Sequence, residues 1–335
     1  MPAVSVIVPC HNLGRYLDEA IESVLRQRFQ DFEIVIVDDG STDPETAELL
    51  SDYQRPKTRV IRTPHNGLAA ARNCGIANTS GRYLCALDAD DRLEPEYLSR
   101  TVQILEEDAS VAFVSAWLRT FGDEQWEWKP THCDLPTLLS EDTVLTAAVV
   151  RREAVASVGG FDTSMPVQGD EDWDLWLTLV ERGYRGVILP EVLFNYRRRA
   201  GSMSTVCWHG PGHLPLAEYR VAKHGDSYRA HLLDVLLQQD ADTAALLSHN
   251  DHKERYITSE LEPAIASRRE ELASLEERLT SARSPGRNAQ RVTELECALR
   301  ATSAEVKALR ASMSWQITRP LRDAYGWWLK RRGPA

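Results

Sequence analysis

Two clusters of carboxylates stand out by their placement. Asp38-Asp39-Gly40-Ser41-Thr42-Asp43 and Asp88-Ala89-Asp90-Asp91 each follow directly on a short apolar run. Brought to neighbouring strand ends, such clusters repel one another unless positive charge lies between them. A divalent cation bound to a substrate phosphate meets that need, because Mg²⁺ or Mn²⁺ takes one or two carboxylates together with phosphate oxygens. Turn formation accounts for Asp39-Gly40-Ser41. It leaves Asp88, Asp90 and Asp91 unexplained, since a turn needs only one such residue.

The runs that precede these clusters read as buried strands. Val4 to Val8 is the first, Phe32 to Val37 the second, Val60-Ile61 a third and Tyr83 to Leu87 a fourth. Between them, Leu17, Ile21 and Leu25 mark one helix, and Leu68 to Ala77 forms another. Strands alternating with helical stretches imply βαβ crossovers and a largely parallel sheet. Ligands of such sheets sit beyond the carboxyl ends of the strands, where both acidic clusters fall.

Several nucleotide chemistries are excluded. No GxGxxG follows the first strand, which ends in Pro9-Cys10-His11-Asn12, so a dehydrogenase does not fit, and no GxxxxGK[ST] occurs. An aspartyl-nucleophile phosphatase could use Asp88-Ala89-Asp90. The late position in the sheet and Arg92, where such enzymes carry Thr or Val, argue against it. A sugar-nucleotide pyrophosphorylase wants a Gly-rich, basic loop after its first strand, which is also missing.

Taken in order, further motifs join the acidic clusters. These are Val4-Ser5-Val6-Ile7-Val8-Pro9 with Asn12, Asn66-Gly67-Leu68 through Arg72-Asn73-Cys74-Gly75-Ile76, and Gly159-Gly160-Phe161-Asp162. Gly169-Asp170-Glu171-Asp172-Trp173-Asp174-Leu175-Trp176, Tyr196-Arg197 and Gly201-Ser202-Met203-Ser204 follow. The ordered set resembles glycosyltransferase family 2. The resemblance implies the GT-A fold, a Rossmann-like α/β domain whose nucleotide-binding half joins an acceptor-binding half. It also implies transfer of a sugar from a nucleoside diphosphate donor, with inversion at the anomeric carbon.

Carried over residue by residue, the resemblance makes Pro9 and His11 line the nucleobase, Asp39 hydrogen-bond it, and Arg72 help to hold base or phosphate. Asp88 faces the ribose, with Ala89 beside it. Asp90, assisted by Asp88, holds the Mn²⁺ or Mg²⁺ that bridges the diphosphate. Asp172 is the base that deprotonates the acceptor, with Asp170 and Asp174 as rivals, and Glu171 and Trp173 are flanking substrate contacts. UDP is the expected donor nucleotide, although Asp39 accepts equally from uracil, thymine or guanine. The chemistry needs such a set: charge develops on the leaving phosphate, where a cation lowers the barrier. Inversion needs one carboxylate within reach of the acceptor hydroxyl.

Two positions depart from the family pattern. His11 stands where many members have Tyr, which keeps a stacking ring but adds a titratable group. Arg199 stands where many have a metal-reaching His. Arginine is no ligand at neutral pH, but it can contact the diphosphate directly, so metal dependence is expected to persist through Asp90 in weakened form. Trp173 and Trp176 share a helical face; Trp176 is expected in the core, and Trp173 either stacks on a sugar or fills the core. Phe121 to Cys133, with Trp126 and Trp128, is the expected acceptor wall.

The chain divides into a GT-A domain over 1–210, a helical linker over 211–259, a coiled coil or helical hairpin over 260–312 and a tail over 313–335. Leu272, Leu275 and Leu279 precede a break at Ser284-Pro285-Gly286, and Val292, Leu295, Leu299, Val306, Leu309 and Met313 then keep a seven-residue repeat. Such a segment suits homo-oligomerisation. The tail combines Trp327 and Trp328 with Arg319, Arg322, Lys330, Arg331 and Arg332, a composition suited to an anionic membrane surface. A formal net charge of −11 argues against a nucleic-acid partner. Six cysteines without a CxxC pair, and no secretory signal before the first strand, point to free thiols and a cytoplasmic protein, peripheral on the inner face of the cell membrane. Cys207, His209 and His213 lack a fourth ligand and read as a polar loop. The expected acceptor is a saccharide or a lipid-linked oligosaccharide of surface-polysaccharide assembly. The alternative from another class is a non-catalytic nucleotide-sugar-binding scaffold organised by the coiled coil.

Overall fold

The computed structural model describes residues 1–199, 202–203, 213–241, 244, 259–260, 262–282 and 289–311. Cys207, His209, the Ser284-Pro285-Gly286 break and the tail over 313–335 lie outside the described residues. The chain forms two units, Met1–Gln238 and Gln239–Ala335.

In the first unit, β1 (Val4–Cys10) is buried along its whole length. Its side chains alternate between two cores, as the strand period requires. Val6 and Val8 pack with α1 (Gly14–Leu25), and Ile7 packs on the opposite face with α3 (Leu68–Ala77). Each such apolar side chain contributes about 1.5–3 kcal/mol when fully buried. A Cβ added at Gly75 would lie 2.3 Å from Ile7 Cγ2, so α3 rests directly on β1 at that glycine.

β2 (Phe32–Asp39), β3 (Thr58–Thr63) and β4 (Tyr83–Ala86) join β1 in parallel, in the order β3-β2-β1-β4. The two acidic clusters therefore flank β1 rather than sitting on adjacent strands. The last member of the first cluster has a local job. Asp43 caps α2 (Pro44–Ser51) by accepting from the Thr46 N–H at 2.9 Å, with Pro44 at the start of the helix.

Beyond β4 the sheet becomes mixed. β8 (Val149–Arg151) lies antiparallel between β4 and β6 (Val111–Gly122), and β9 (Arg185–Arg198) runs parallel to β6 with register shifts. The short β5 (Arg92–Leu93) closes the far edge against β9, and β7 (Glu127–Trp128) hooks onto β6. One face is covered by α1 and α4 (Tyr97–Glu107), the other by α3, α5 (Leu135–Ser140), α6 (Arg152–Val158) and α7 (Glu171–Glu181). Two later helices, α8 (His213–Lys223) and α9 (Gly225–Ala230), complete this unit.

In the second unit, α10 (Glu262–Ala282) and α11 (Ala289–Ala311) lie side by side. Leu275, Leu279 and Leu295 are buried together with Val292 and Leu299 against them, and Arg268 pairs with Glu305 at 3.0 Å. These pairings run the two helices antiparallel. No described helix is long and apolar enough to cross a membrane.

Candidate active site

The carboxyl ends of β1, β2 and β4 open into two adjoining cavities. One, of about 530 Å³, is lined by Pro9, His11, Asp39, His65, Ala89, Asp90, Arg197 and Arg199. The other, of about 600 Å³, is lined by Arg72, Trp126, Trp128, Asp142, Thr146, Asp170, Glu171 and Asp172. Asp88 and Tyr196 line both. Pro9, His11, Asp39, Asp90 and Arg199 thus fall on one side of Asp88, and Arg72, Asp172, Trp126 and Trp128 on the other.

In the smaller cavity the His11 ring stacks on His65, with centroids 4.1 Å apart and planes 23° apart. His11 Nδ1 lies 2.8 Å from the Asp39 carbonyl oxygen, which accepts from it. The Asp39 carboxylate accepts from the N–H groups of Asn66 and Gly67 at 2.9 Å each, from His65 Nδ1 at 2.9 Å and from the Thr63 hydroxyl at 3.3 Å. A carboxylate offers about four acceptor sites. Asp39 thus shapes the loop after β3 and holds His65 against His11, while it lines the smaller cavity.

The second cluster is tied up by arginines. Asp90 Oδ2 accepts from Arg199 Nε at 2.8 Å, and the Asp90 carbonyl accepts from Arg197 Nε at 2.9 Å. Asp91 is 2% exposed and accepts from the Arg197 backbone N–H at 2.7 Å. Burial raises the Asp91 carboxyl well above its ordinary range, and the charges of Asp90 and Asp88 add to that. Burial likewise raises Asp88; Asp90 adds to the effect and Arg72 offsets part of it. Asp88 and Asp90 each keep one carboxylate oxygen without a hydrogen bond among the described residues. Two hard oxygens without hydrogen bonds among those residues fit a divalent cation, which takes one or two carboxylates together with phosphate and water.

Arg72 is the joint between the two cavities. It is 1% exposed, and its two terminal nitrogens donate to Asp88 at 2.8 Å and to Glu171 at 2.5 Å. Its Nε has no partner among the described residues. Glu171 uses its other oxygen on the Gly169 N–H at 2.9 Å. Both line the larger cavity, and each also fixes the other, so that together they lock the end of β4 to the start of α7.

The three aspartates around α7 are sorted by their partners. Asp170 pairs with Arg220 at 2.5 Å. Asp174, 3% exposed, pairs with Lys223 at 2.8 Å and His224 at 3.1 Å. Asp172 lines the cavity, accepting from the Thr146 hydroxyl and from the Trp173 N–H at 3.0 Å. Asp142 lines the same cavity, and burial, with the charge of Asp172, raises its carboxyl well above the ordinary range.

Residues 5–158 match the sequence profile of Glycosyl transferase family 2. That match spans a little under half of the chain and covers β1 through α6. Uncharacterized protein y4gI of Sinorhizobium fredii (strain NBRC 101917 / NGR234) is 32% identical over 215 residues, 60% of this chain and 23% of that protein. The chain thus spans less than a quarter of that relative. The putative teichuronic acid biosynthesis glycosyltransferase TuaG of Bacillus subtilis (strain 168) is 28% identical over 218 residues, 62% of this chain and 83% of that one. Among solved structures, the mannosyltransferase PcManGT from Pyrobaculum calidifontis, in complex with GDP-Man and Mn²⁺, aligns with a TM-score of 0.56 at 19% identity, covering 92% of this chain and 86% of that one. That likeness establishes a GT-A-like fold.

Of the two alternatives open for Trp173, the structure shows the core. The residue is 5% exposed, its indole N–H donates to the Leu138 carbonyl at 2.6 Å, and Arg220 lies over its ring, so it fills the core instead of facing a sugar. Trp176, 1% exposed, packs 5.0 Å from Phe113. Trp126, 44% exposed, and Trp128 do line the larger cavity. The sequence reading missed His65, Thr146 and Asp142. His65 immediately precedes the Asn66-Gly67 motif and was discoverable there; Thr146 and Asp142 sit in no motif.

Proposed function

We propose that the protein is an inverting glycosyltransferase that moves a sugar from a nucleoside diphosphate donor in the smaller cavity to an acceptor hydroxyl in the larger one. One observation carries the reading. Asp88 lines both cavities, and of the three aspartates beyond it only Asp172 faces the acceptor side without a cationic partner among the described residues. Asp172 takes the acceptor proton as the oxygen attacks the anomeric carbon, and Thr146 orients its carboxylate. His11 and His65 give the nucleobase a stacking surface, with UDP as the proposed nucleotide.

Asp90 and Asp88 would hold a Mn²⁺ or Mg²⁺ ion, which when bound neutralises charge on the leaving diphosphate. Arg199 supplies positive charge at the same place. Trp126 and Trp128 suit a saccharide acceptor, since aromatic faces stack on apolar sugar faces. Surface-polysaccharide or lipid-linked oligosaccharide assembly is the proposed setting, supported by the name of the Bacillus subtilis relative. Homo-oligomerisation through α10 and α11, and peripheral attachment to an anionic membrane through 313–335, are proposed from the heptad pattern and from the tail's composition.

Binding of UDP, GDP, dTDP and CDP, each with Mn²⁺, with Mg²⁺ and with chelator, tests the donor side. Asp172→Asn tests the chemistry: turnover should fall by roughly 10²–10⁴-fold, the usual worth of general-base catalysis, with nucleotide affinity unchanged. A protein that binds nucleotide but turns over no donor in wild-type form would be a scaffold.

A further inference from the structure

We infer that Arg220, on α8, is a positioning residue that holds the turn presenting Asp172 to the acceptor. The inference rests on the assignment of Asp172 as the base. Asp170, which begins that turn, sits at φ 61°, in the left-handed region that few residues with a side chain adopt, Asp among them. Arg220 holds the turn from two sides. Its Nη1 donates to Asp170 Oδ2 at 2.5 Å, with both side chains largely buried, at 8% and 13% exposure. Its guanidinium carbon also lies 3.5 Å from the centroid of the Trp173 ring. The same cation therefore grips the residue two before Asp172 and the residue one after it.

The grip has a rigid backing. Arg220 Nε reaches toward the Tyr228 hydroxyl at 3.4 Å, and that hydroxyl donates to the Leu139 carbonyl at 2.9 Å. The Trp173 indole is fixed to Leu138 of the same helix, α5. Lys223, one turn further along α8, holds Asp174. Among the described residues, Asp170, Glu171 and Asp174 thus each have a cation of their own, in Arg220, Arg72 and Lys223. The segment is clamped on every side of Asp172, and Asp172 is left to the cavity. A base displaced by about 1 Å costs about 10²-fold in rate, so the clamp bears on catalysis as well as on stability.

Arg220→Met and Arg220→Lys separate the two roles. The probes are release of nucleoside diphosphate from UDP-glucose, UDP-N-acetylglucosamine and GDP-mannose, together with amide hydrogen exchange across 169–174. Arg220→Met should lower kcat about 10²-fold, with KM for the donor within about threefold. Exchange across 169–174 should speed at least about tenfold while β1 and β2 keep their protection. Arg220→Lys, which keeps a charge opposite Asp170, should restore about tenfold of the lost rate and much of the protection. A kcat within about threefold of wild type, unchanged exchange across 169–174, or a rise spread evenly over the whole unit would each overturn the inference. Asp172→Asn is run alongside. Should it keep full turnover, the base assignment fails, and the exchange result still decides whether Arg220 holds the turn.

Discussion

Replacing Glu171 by leucine puts the joint between the two cavities under direct load. Arg72 is 1% exposed, and its charge is met by Glu171 at 2.5 Å and Asp88 at 2.8 Å, while Nε already lacks a partner among the described residues. Removing Glu171 leaves Nη1 without its carboxylate and half of the charge uncompensated in the core. Breaking a buried pair in this way costs about 3–5 kcal/mol. Because Asp88 keeps the other arm, the lower end applies, about 3 kcal/mol. A unit of this size loses about 2–4 °C of Tm per kcal/mol, so Tm should fall by about 6–12 °C. Removing both buried charges, in Arg72→Met with Glu171→Leu, should bring stability back to within about 1 kcal/mol of wild type, since an apolar pair replaces the ion pair. The released Asp88 is 29% exposed and can rehydrate. Turnover should stay low in the double variant, because Asp88 has lost its anchor. Urea unfolding and thermal melts of the three variants read the stability, and donor turnover reads the activity. A single variant within about 1 kcal/mol of wild type, or a double variant less stable than the Glu171→Leu single, would refute the reasoning, since either outcome means Arg72 does not depend on Glu171.

Other consequences are tested more simply. Burial lowers the His224 imidazole, but hydrogen bonds with Asp174 and Glu181, and their charges, outweigh it and raise the ring above its ordinary value. Its contribution to stability is therefore complete below the unfolded value of about 6.5 and is lost as pH rises through the higher folded value. Urea midpoints from pH 5.5 to 8.5 should fall across that window in wild type and less steeply in His224→Gln; parallel slopes would remove the ring from the account. Arg199→Ala should weaken nucleotide binding about tenfold in chelator and less with Mn²⁺, read by calorimetry, as expected if a guanidinium and a cation share one load. Deleting 313–335 should release the protein from anionic liposomes, and unchanged partitioning would deny the tail that role.

The half of the fold built from local signals was legible. α3 runs from Leu68 to Ala77 as read, and β1, β2 and β4 begin where their apolar runs begin. The second half was not, because its order depends on pairings between distant segments. β6 lies between β8 and β9, and β9 returns to the edge at β5, more than ninety residues earlier. The site divides the same way. Strand-end carboxylates announce themselves by type and position, whereas their partners do not. Arg72 meets Glu171 across a separation of 99 residues, and Arg199 meets Asp90 across 109. Trp173 illustrates the difference. Its spacing from Trp176 put both on one helical face, but only the arrival of Leu138 and Arg220 makes that face interior.

Those unseen partners change how the acidic edge works. Read alone, Asp88 and Asp90 ask for a cation; in the folded chain each already has a guanidinium, Arg72 for Asp88 and Arg199 for Asp90. In the proposed reaction a diphosphate brings further negative charge into this cavity, and one of these pairs has to yield to meet it. Arg72 is 1% exposed and braced by Glu171, whereas the Arg199–Asp90 pair is 22% and 13% exposed. The second pair is the one that opens at lower cost. Were Arg199 to turn to the phosphates, Asp90 would be released and could hold a cation, which would supply charge neutralisation there. On the proposed reading, cation and nucleotide should then strengthen each other's binding by the same factor, as linkage requires, and each should bind less well to the protein with Arg199 closed on Asp90.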